Sequence, residues 1–332
     1  MKKLLLPILT AIALGSYSCA SSNLQTCFDK FHAEHYHQAI LYGKKAVKEQ
    51  PNNPKSYFCL GIAYTRIGQI DKAIKNLKKA SQHNPTKQNL MAIYNFLGSE
   101  YESEGYYNKA ILYEKKSLKI AKELNDTKAQ VADLNNIAII VRHTGDIAKA
   151  VKYLKKALKL HPNAMEKSSI YNNMAVFYEK MGNYNKAVKY LKKSIDIDER
   201  LGEYLDSGEH MLNLGSIYSK MKDYKDAKIY LEKGLKRVKK VGNKRWEGTG
   251  YGYLGLYYSD IGNKQLAKKY FTKSMKIFQS IKDYRDASTM LLNLATLKWY
   301  KIVISVLVIV YGYLKLLLNI IKGLHFPLLN SV

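Results

Sequence analysis

Three histidines crowd around one glutamate in FHAEHYHQA, residues 31–39, and these are the residue types of a transition-metal site. Imidazole nitrogens bind zinc or copper when their spacing turns them to one side, and His32 and His35, three apart, would share a helix face. His37 falls beyond a presumed turn, and no fourth ligand or orienting partner is identifiable elsewhere. A His-rich surface turn is therefore expected, with no metal and no other cofactor. A different chemistry is offered by LNNIAIIVRHTGDIAKA, residues 134–150, where Asn135 and Asn136 stand inside an apolar run. A buried amide without partners costs about 1–3 kcal/mol, so the pair is either satisfied by a neighbour or turned toward something wet. No Gly-rich phosphate loop, nucleophile elbow or HExxH pattern occurs, and no enzyme is expected.

The elements that hold these residues follow from a repeated spacing. Seven stretches align: EHYHQAI, GQIDKAI, GYYNKAI, GDIAKAV, GNYNKAV, KDYKDAK and GNKQLAK, with alanines at 39, 73, 110, 150, 187, 227 and 267. Intervals of 34 to 40 residues are those of a solenoid. Before each alanine from the second onward lies a run such as YFCLGIAY or YNNMAVFY, then a short break that usually contains Gly. After it comes a second run such as NLKKAS or YLKKSI. Apolar residues recur at three and four in both runs, so each unit is two antiparallel helices joined by a turn, and no strand pattern competes. Small residues stand where the helices must approach: Gly61, Gly98, Ala138, Ala175, Gly215 and Gly255 in the first run, the alanines in the second.

This pattern resembles the tetratricopeptide repeat family. In YFCLGIAYTRIGQIDKAIKNLKKASQHNP, Leu60, Gly61, Tyr64, Gly68, Ala73, Leu77, Ala80 and Pro85 occupy the family's signature places. Similar units run over residues 23–297, about seven helix pairs plus a partial eighth. The first is degenerate, with Cys27 where the small residue usually stands, and linkers such as AKELNDTKAQ stretch several units to 37 or 40 residues. The resemblance implies an all-α fold, an α-solenoid in a right-handed superhelix with the first helices along its inner surface. Two places before the small first-helix residue an amide recurs as Asn136, Asn173, Asn213 and Asn293, interrupted by Tyr253. Packed helices lie ~8–10 Å apart and an extended peptide advances ~3.3 Å per residue, so one Asn per repeat would meet about every third peptide unit. In several family members such a ladder grips an extended peptide through its main chain, and the resemblance carries that role onto these four residues. One turn further along, Arg142, His143, Glu179, Lys180 and Lys220 would favour an acidic ligand or one with a free C-terminus. The other reading is a polar residue tolerated on a wet face or bonded to the adjacent repeat.

Charge is strongly positive, +27 from 54 Lys and Arg against 27 Asp and Glu. Only six of the basic residues are Arg, and the guanidinium fork is what recognises phosphate with fixed geometry, so nucleic acid is disfavoured as a partner. Lysine pairs fall in register at 44-45, 78-79, 115-116, 155-156 and 192-193, continued by Lys233 and Lys273. They belong to the second helices, which the family places on the convex side. Such a stripe is an ordinary solvated face, or it draws an anionic lipid or wall polymer.

Both ends depart from the repeat. Lys2 and Lys3, an apolar run from Leu4 to Ala13 and small residues at Ser18 and Ala20 predict an export signal over 1–20; a lipidated Cys19 would follow a poor lipobox. The mature chain would then keep Cys27 and Cys59 in an oxidising compartment, either bridged or as two buried apolar side chains. Of the 20 residues from 302 to 321, 14 are Leu, Ile or Val, enough to span a bilayer as a C-terminal hydrophobic helix, with a short tail at 322–332. A capping helix on the last repeat and a tail from a shifted reading frame are the alternatives. The expectation is a noncatalytic scaffold that binds a protein or peptide segment, exported to a periplasmic or extracytoplasmic face and tethered to the membrane. A sensory input module of a signal-transduction system, truncated before its kinase, is the alternative.

Overall fold

The computed structural model describes residues 22–299, so the expected export signal, the hydrophobic segment 302–321 and the tail 322–332 lie outside the described residues. Within them are fifteen α-helices and no strand. They are α1 (Ser22–His32), α2 (Tyr36–Glu49), α3 (Pro54–Arg66), α4 (Ile70–Gln82), α5 (Lys87–Ser103), α6 (Tyr107–Glu123), α7 (Thr127–His143) and α8 (Ile147–Leu158). Then follow α9 (Ala164–Lys180), α10 (Tyr184–Leu201), α11 (Tyr204–Lys220), α12 (Tyr224–Lys240), α13 (Lys244–Asp260), α14 (Lys264–Ser280) and α15 (Tyr284–Trp299). Consecutive helices pair as hairpins from α1-α2 to α13-α14, and α15 is a first helix without a described second. Among the described residues no helix is long and apolar enough to cross a membrane.

Each hairpin closes because the residue after the first helix takes a left-handed backbone, which glycine adopts without steric cost. Gly68, Gly105, Gly145, Gly182 and Gly262 fill that place with φ of 73° to 88°, while Glu34 and Lys222 fill it with φ of 59° and 62°. Polar side chains begin many helices by accepting from the first free backbone N–H groups, among them Asn53, Asp126, Asp146, Asn243 and Asn263. Within a hairpin the helices approach at the small residues. A Cβ on Gly61 would stand 2.9 Å from Leu77 Cγ, one on Gly215 2.7 Å from Leu231 Cγ, and one on Gly255 2.5 Å from Phe271 Cδ1.

The chain divides into two compact units, the first ending at Tyr190 inside α10 and the second beginning at Leu191. In the first unit, first helices also approach one another across repeats, α1 with α3, α3 with α5 and α7 with α9; in the second, α11 approaches α13. The second helices α2, α4, α6 and α8 show no comparable approach to one another. The first helices therefore crowd one side of each unit and the second helices face outward. Cys27 of α1 and Cys59 of α3 are joined by a disulfide, so the structure takes the bridged alternative.

Candidate functional site

The amides of the repeat column are half-buried, and the partners of Asn136, Asn173 and Asn213 lie in other helices. Asn136 Nδ2 donates to Glu114 Oε2 of α6 at 3.3 Å. Asn173 Nδ2 donates at 2.8 Å to Oδ1 of Asn135, one repeat back and one residue out of the column. Asn135 itself is 4% exposed. The two adjacent amides thus divide the work: Asn135 is a buried acceptor for the next repeat, and Asn136 sits at the edge with solvent. In the second unit Tyr253 Oη donates to Asn213 Oδ1 at 3.5 Å, so the tyrosine that interrupts the column bonds to it, while Asn293 is half-buried on α15. Asn136 and Asn173 belong to the first unit, Asn213 and Asn293 to the second. An amide has two donors and two acceptor lone pairs, so one internal bond leaves Asn136, Asn173 and Asn213 with further capacity.

The side chains expected one turn on are arranged unevenly. Arg142 is half-buried, its guanidinium 5.9 Å from the Phe177 ring centroid and its Nη2 3.1 Å from His143 Nε2. Its Nε is buried without a hydrogen-bond partner, as are Glu102 Oε1 of α5 and Asn172 Oδ1 of α9. His143 stacks on Tyr107 with centroids 5.2 Å apart and lies 3.7 Å from Glu102. That contact is weaker than its distance suggests. Burial raises the Glu102 pKa, and burial together with Arg142 and Lys180 lowers that of His143, so both groups move toward neutrality. Glu179 is half-buried, and Lys180 and Lys220 are exposed, Lys220 in the second unit.

Models described as tetratricopeptide repeat match residues 42–75, 92–124, 134–163, 166–240 and 209–280. The chain belongs to the tetratricopeptide repeat family. A tetratricopeptide repeat-containing protein of Methanocaldococcus jannaschii is 29% identical over 133 residues, 40% of this chain and 22% of that relative. The chain thus matches about a fifth of that relative's length. Among solved structures, a signal transduction ATPase of Pyrococcus horikoshii with a tetratricopeptide repeat sensor superposes with a TM-score of 0.64 at 22% identity. That match covers 96% of this chain and 51% of the ATPase. A Rap protein complexed with competence and sporulation factor gives 0.54 at 16% identity, over 83% and 85% of the two chains. At these identities the likeness is one of fold.

Against that tetratricopeptide frame, one departure stands out beside the amide column. Four residues after the signature alanine the second helices place Gly43, Leu77, Leu154, Leu191, Leu231 and Phe271, but α6 places Glu114. Its Oε1 stands 2.7 Å from where a Gly98 Cβ would be, in the slot five other repeats give to Leu or Phe. Burial drives its pKa well above the carboxylate range, and Asp133 of α7 adds to the rise. Asp133, wholly buried, is pushed up to about 7 by burial, opposed by Ser117 and Asn95. Burial likewise raises Glu100 and Glu102. The residue that Asn136 holds is therefore a buried carboxyl whose neutral, protonated form is favoured beyond the usual carboxylate range. The sequence reading missed this cluster, although a single charged residue in an otherwise apolar column was its visible signal.

A second polar cluster went unread as well. His210 Nδ1 lies 2.6 Å from Asp198 Oδ2 and 3.0 Å from Ser194 Oγ, all three buried between α10 and α11 of the second unit. These are the residue types of a hydrolytic triad, but serine and aspartate meet the same ring nitrogen. The imidazole therefore cannot relay a proton between them. His32, His35 and His37 are exposed at the first hairpin turn, and no group of three His, Cys, Asp or Glu among the described residues is placed to hold a metal ion.

Proposed function

We propose that this chain is a noncatalytic scaffold whose first helices bind an extended peptide or protein segment. The observation that carries the reading is the first-helix face of the first unit. There Asn136 and Asn173 keep hydrogen-bonding capacity in consecutive repeats, and the same unit holds buried atoms of Glu102, Arg142 and Asn172 that make no hydrogen bond. Unmet capacity of this kind costs about 1–3 kcal/mol per group, which a bound backbone would recover by small rearrangements. The guanidinium of Arg142 and the exposed ammonium of Lys180 support a ligand with an acidic side chain or a C-terminal carboxylate. The Rap structure, a similar fold complexed with competence and sporulation factor, supports a ligand-binding role for this fold.

We also place the chain outside the cytoplasm and on a membrane. The signal-like residues 1–20, the apolar stretch 302–321 and the Cys27–Cys59 bridge, which suits an oxidising compartment, support this. A sensory input role is the second reading, favoured by the fold shared with an ATPase that carries a tetratricopeptide repeat sensor. Selection of a random displayed peptide library on the full chain tests the scaffold. Enriched peptides should lose at least about tenfold in affinity when Asn136 and Asn173 are both changed to Ala, the worth of two to three hydrogen bonds. Binding that is indifferent to both changes removes the groove.

A further inference from the structure

The basic residues are not spread evenly over the first unit. Its complete second helices, α2, α4, α6 and α8, carry 16 lysines, all exposed, and no arginine. Against them stand three exposed carboxylates: Glu49, bonded to Asn23; Glu123, paired with Lys87; and Asp71. The first helices α1, α3, α5, α7 and α9 carry eight Lys or Arg and six Asp or Glu, close to balance. Solubility needs charge of either sign on any surface and gives no reason to sort it by helix. Each of the four second helices presents an adjacent lysine pair at the same register. No described carboxylate lies within ion-pair distance of any of these eight ammonium groups.

Two further observations bear on what such a face meets. Five of the eight lysines lie over tyrosine rings: Lys45 over Tyr42, Lys78 over Tyr101, Lys79 over Tyr57, Lys116 over Tyr113 and Lys156 over Tyr153, at 4.9 to 5.6 Å. Side chains held in this way lose less freedom on meeting an anionic surface. Between the charges, two places after the signature alanine, Leu41 and Leu112 stand 52% and 51% exposed on α2 and α6. Leucine among lysines suits an interface where cations meet headgroups and apolar groups enter below them. It offers nothing to a nucleic acid backbone, and the absence of arginine removes the fork that phosphate-reading proteins favour.

We infer that the second-helix face of the first unit docks on an anionic lipid bilayer, leaving the first-helix face open to ligand. The attraction is diffuse, from lysines within a Debye length of the headgroups, and it falls as salt rises. The inference does not depend on the peptide-binding reading.

Co-sedimentation of the full chain with phosphatidylcholine vesicles, with and without roughly one third phosphatidylglycerol, tests it. Two variants remove the same charge: Lys44, Lys45, Lys78, Lys79, Lys115 and Lys116 to Gln, or Lys30, Lys55, Lys87, Lys128, Lys167 and Lys180 to Gln. Wild type should bind the anionic vesicles at least tenfold more tightly than the neutral ones and lose most of that gain between roughly 0.1 and 0.5 M salt. The second-helix variant should lose on the order of 100-fold in anionic binding, and the first-helix variant less than about threefold. Hydrogen exchange of the wild type gives a readout independent of either variant's folding. Vesicles should protect α2, α4, α6 and α8 more than α1, α3, α5, α7 and α9. Equal losses in the two variants, equal binding to neutral vesicles, protection of the first helices instead, or tighter binding to a DNA duplex at matched salt overturns the inference.

Discussion

At the scale of single residues, the buried carboxyls beside the amide column are what distinguish this repeat array. Glu114 and Asp133 hold protons more tightly folded than unfolded, because burial penalises the anion in the native state alone. A raised native pKa adds stability that is complete below the ordinary carboxylate range near 4 and is lost as pH climbs through the folded value. For Asp133 that loss spans the interval up to about 7. The urea midpoint of the first unit should accordingly be higher at pH 5 than at pH 8, and Asp133→Asn should remove much of the difference. A wild type and variant with the same pH dependence would refute the assignment. Glu114→Leu restores the side chain used by the equivalent repeats. It should stabilise by about 1–3 kcal/mol at pH 8 and by less at pH 5, read from the same melts. The asparagines show how far residue reading reached. Their column was legible from position within the repeat. That Asn135, not Asn136, would be the buried one, and that Asn173 would reach back to it, was not legible, because neighbours 38 residues apart meet only once two hairpins are docked.

At the scale of helices and turns, sequence and structure agree closely, since both periods involved are local. Apolar spacing of three and four defines each helix face, and the small residue sets where the partner helix crosses. Gly215→Ala puts a methyl 2.7 Å from Leu231 Cγ and 2.9 Å from its backbone nitrogen, where little can shift. A loss of about 1–3 kcal/mol is expected in thermal or urea melts. The turn after α11 offers the opposite case. Lys222 holds a φ of 62° where five equivalent turns use glycine. Lys222→Gly should therefore be neutral or stabilising by up to about 1 kcal/mol, the left-handed strain outweighing the added freedom of the unfolded chain. The same change at an ordinary helical lysine such as Lys152 should destabilise by about 1 kcal/mol.

At the scale of the molecule, the helices within each unit pack mainly against their neighbours and next-but-one neighbours, so stability there is shared between adjacent repeats. The Cys27–Cys59 bridge closes a sequence separation of 32 residues and ties the degenerate first hairpin to the second. Chain entropy gives such a loop about 3–4 kcal/mol. Changing both cysteines to Ala should speed hydrogen exchange in α1 to α4 and leave α11 to α14 unchanged. Loss of protection along the entire chain would contradict nearest-neighbour coupling.

From its residues alone the chain declared its family, its helix pairs, the small residues at their crossings and the tyrosines around them. Each of these is written in a period that a local stretch repeats. Tertiary structure decided the rest: which amide of the Asn135–Asn136 pair turns inward, that the two cysteines are bridged, that Glu114 shares a buried region with Asp133, and that Ser194 and Asp198 converge on one nitrogen of His210. Those meetings depend on the rotation and register of one helix against the next. A repeat period constrains both only loosely, and a change of one residue in register exchanges a buried partner for an exposed one.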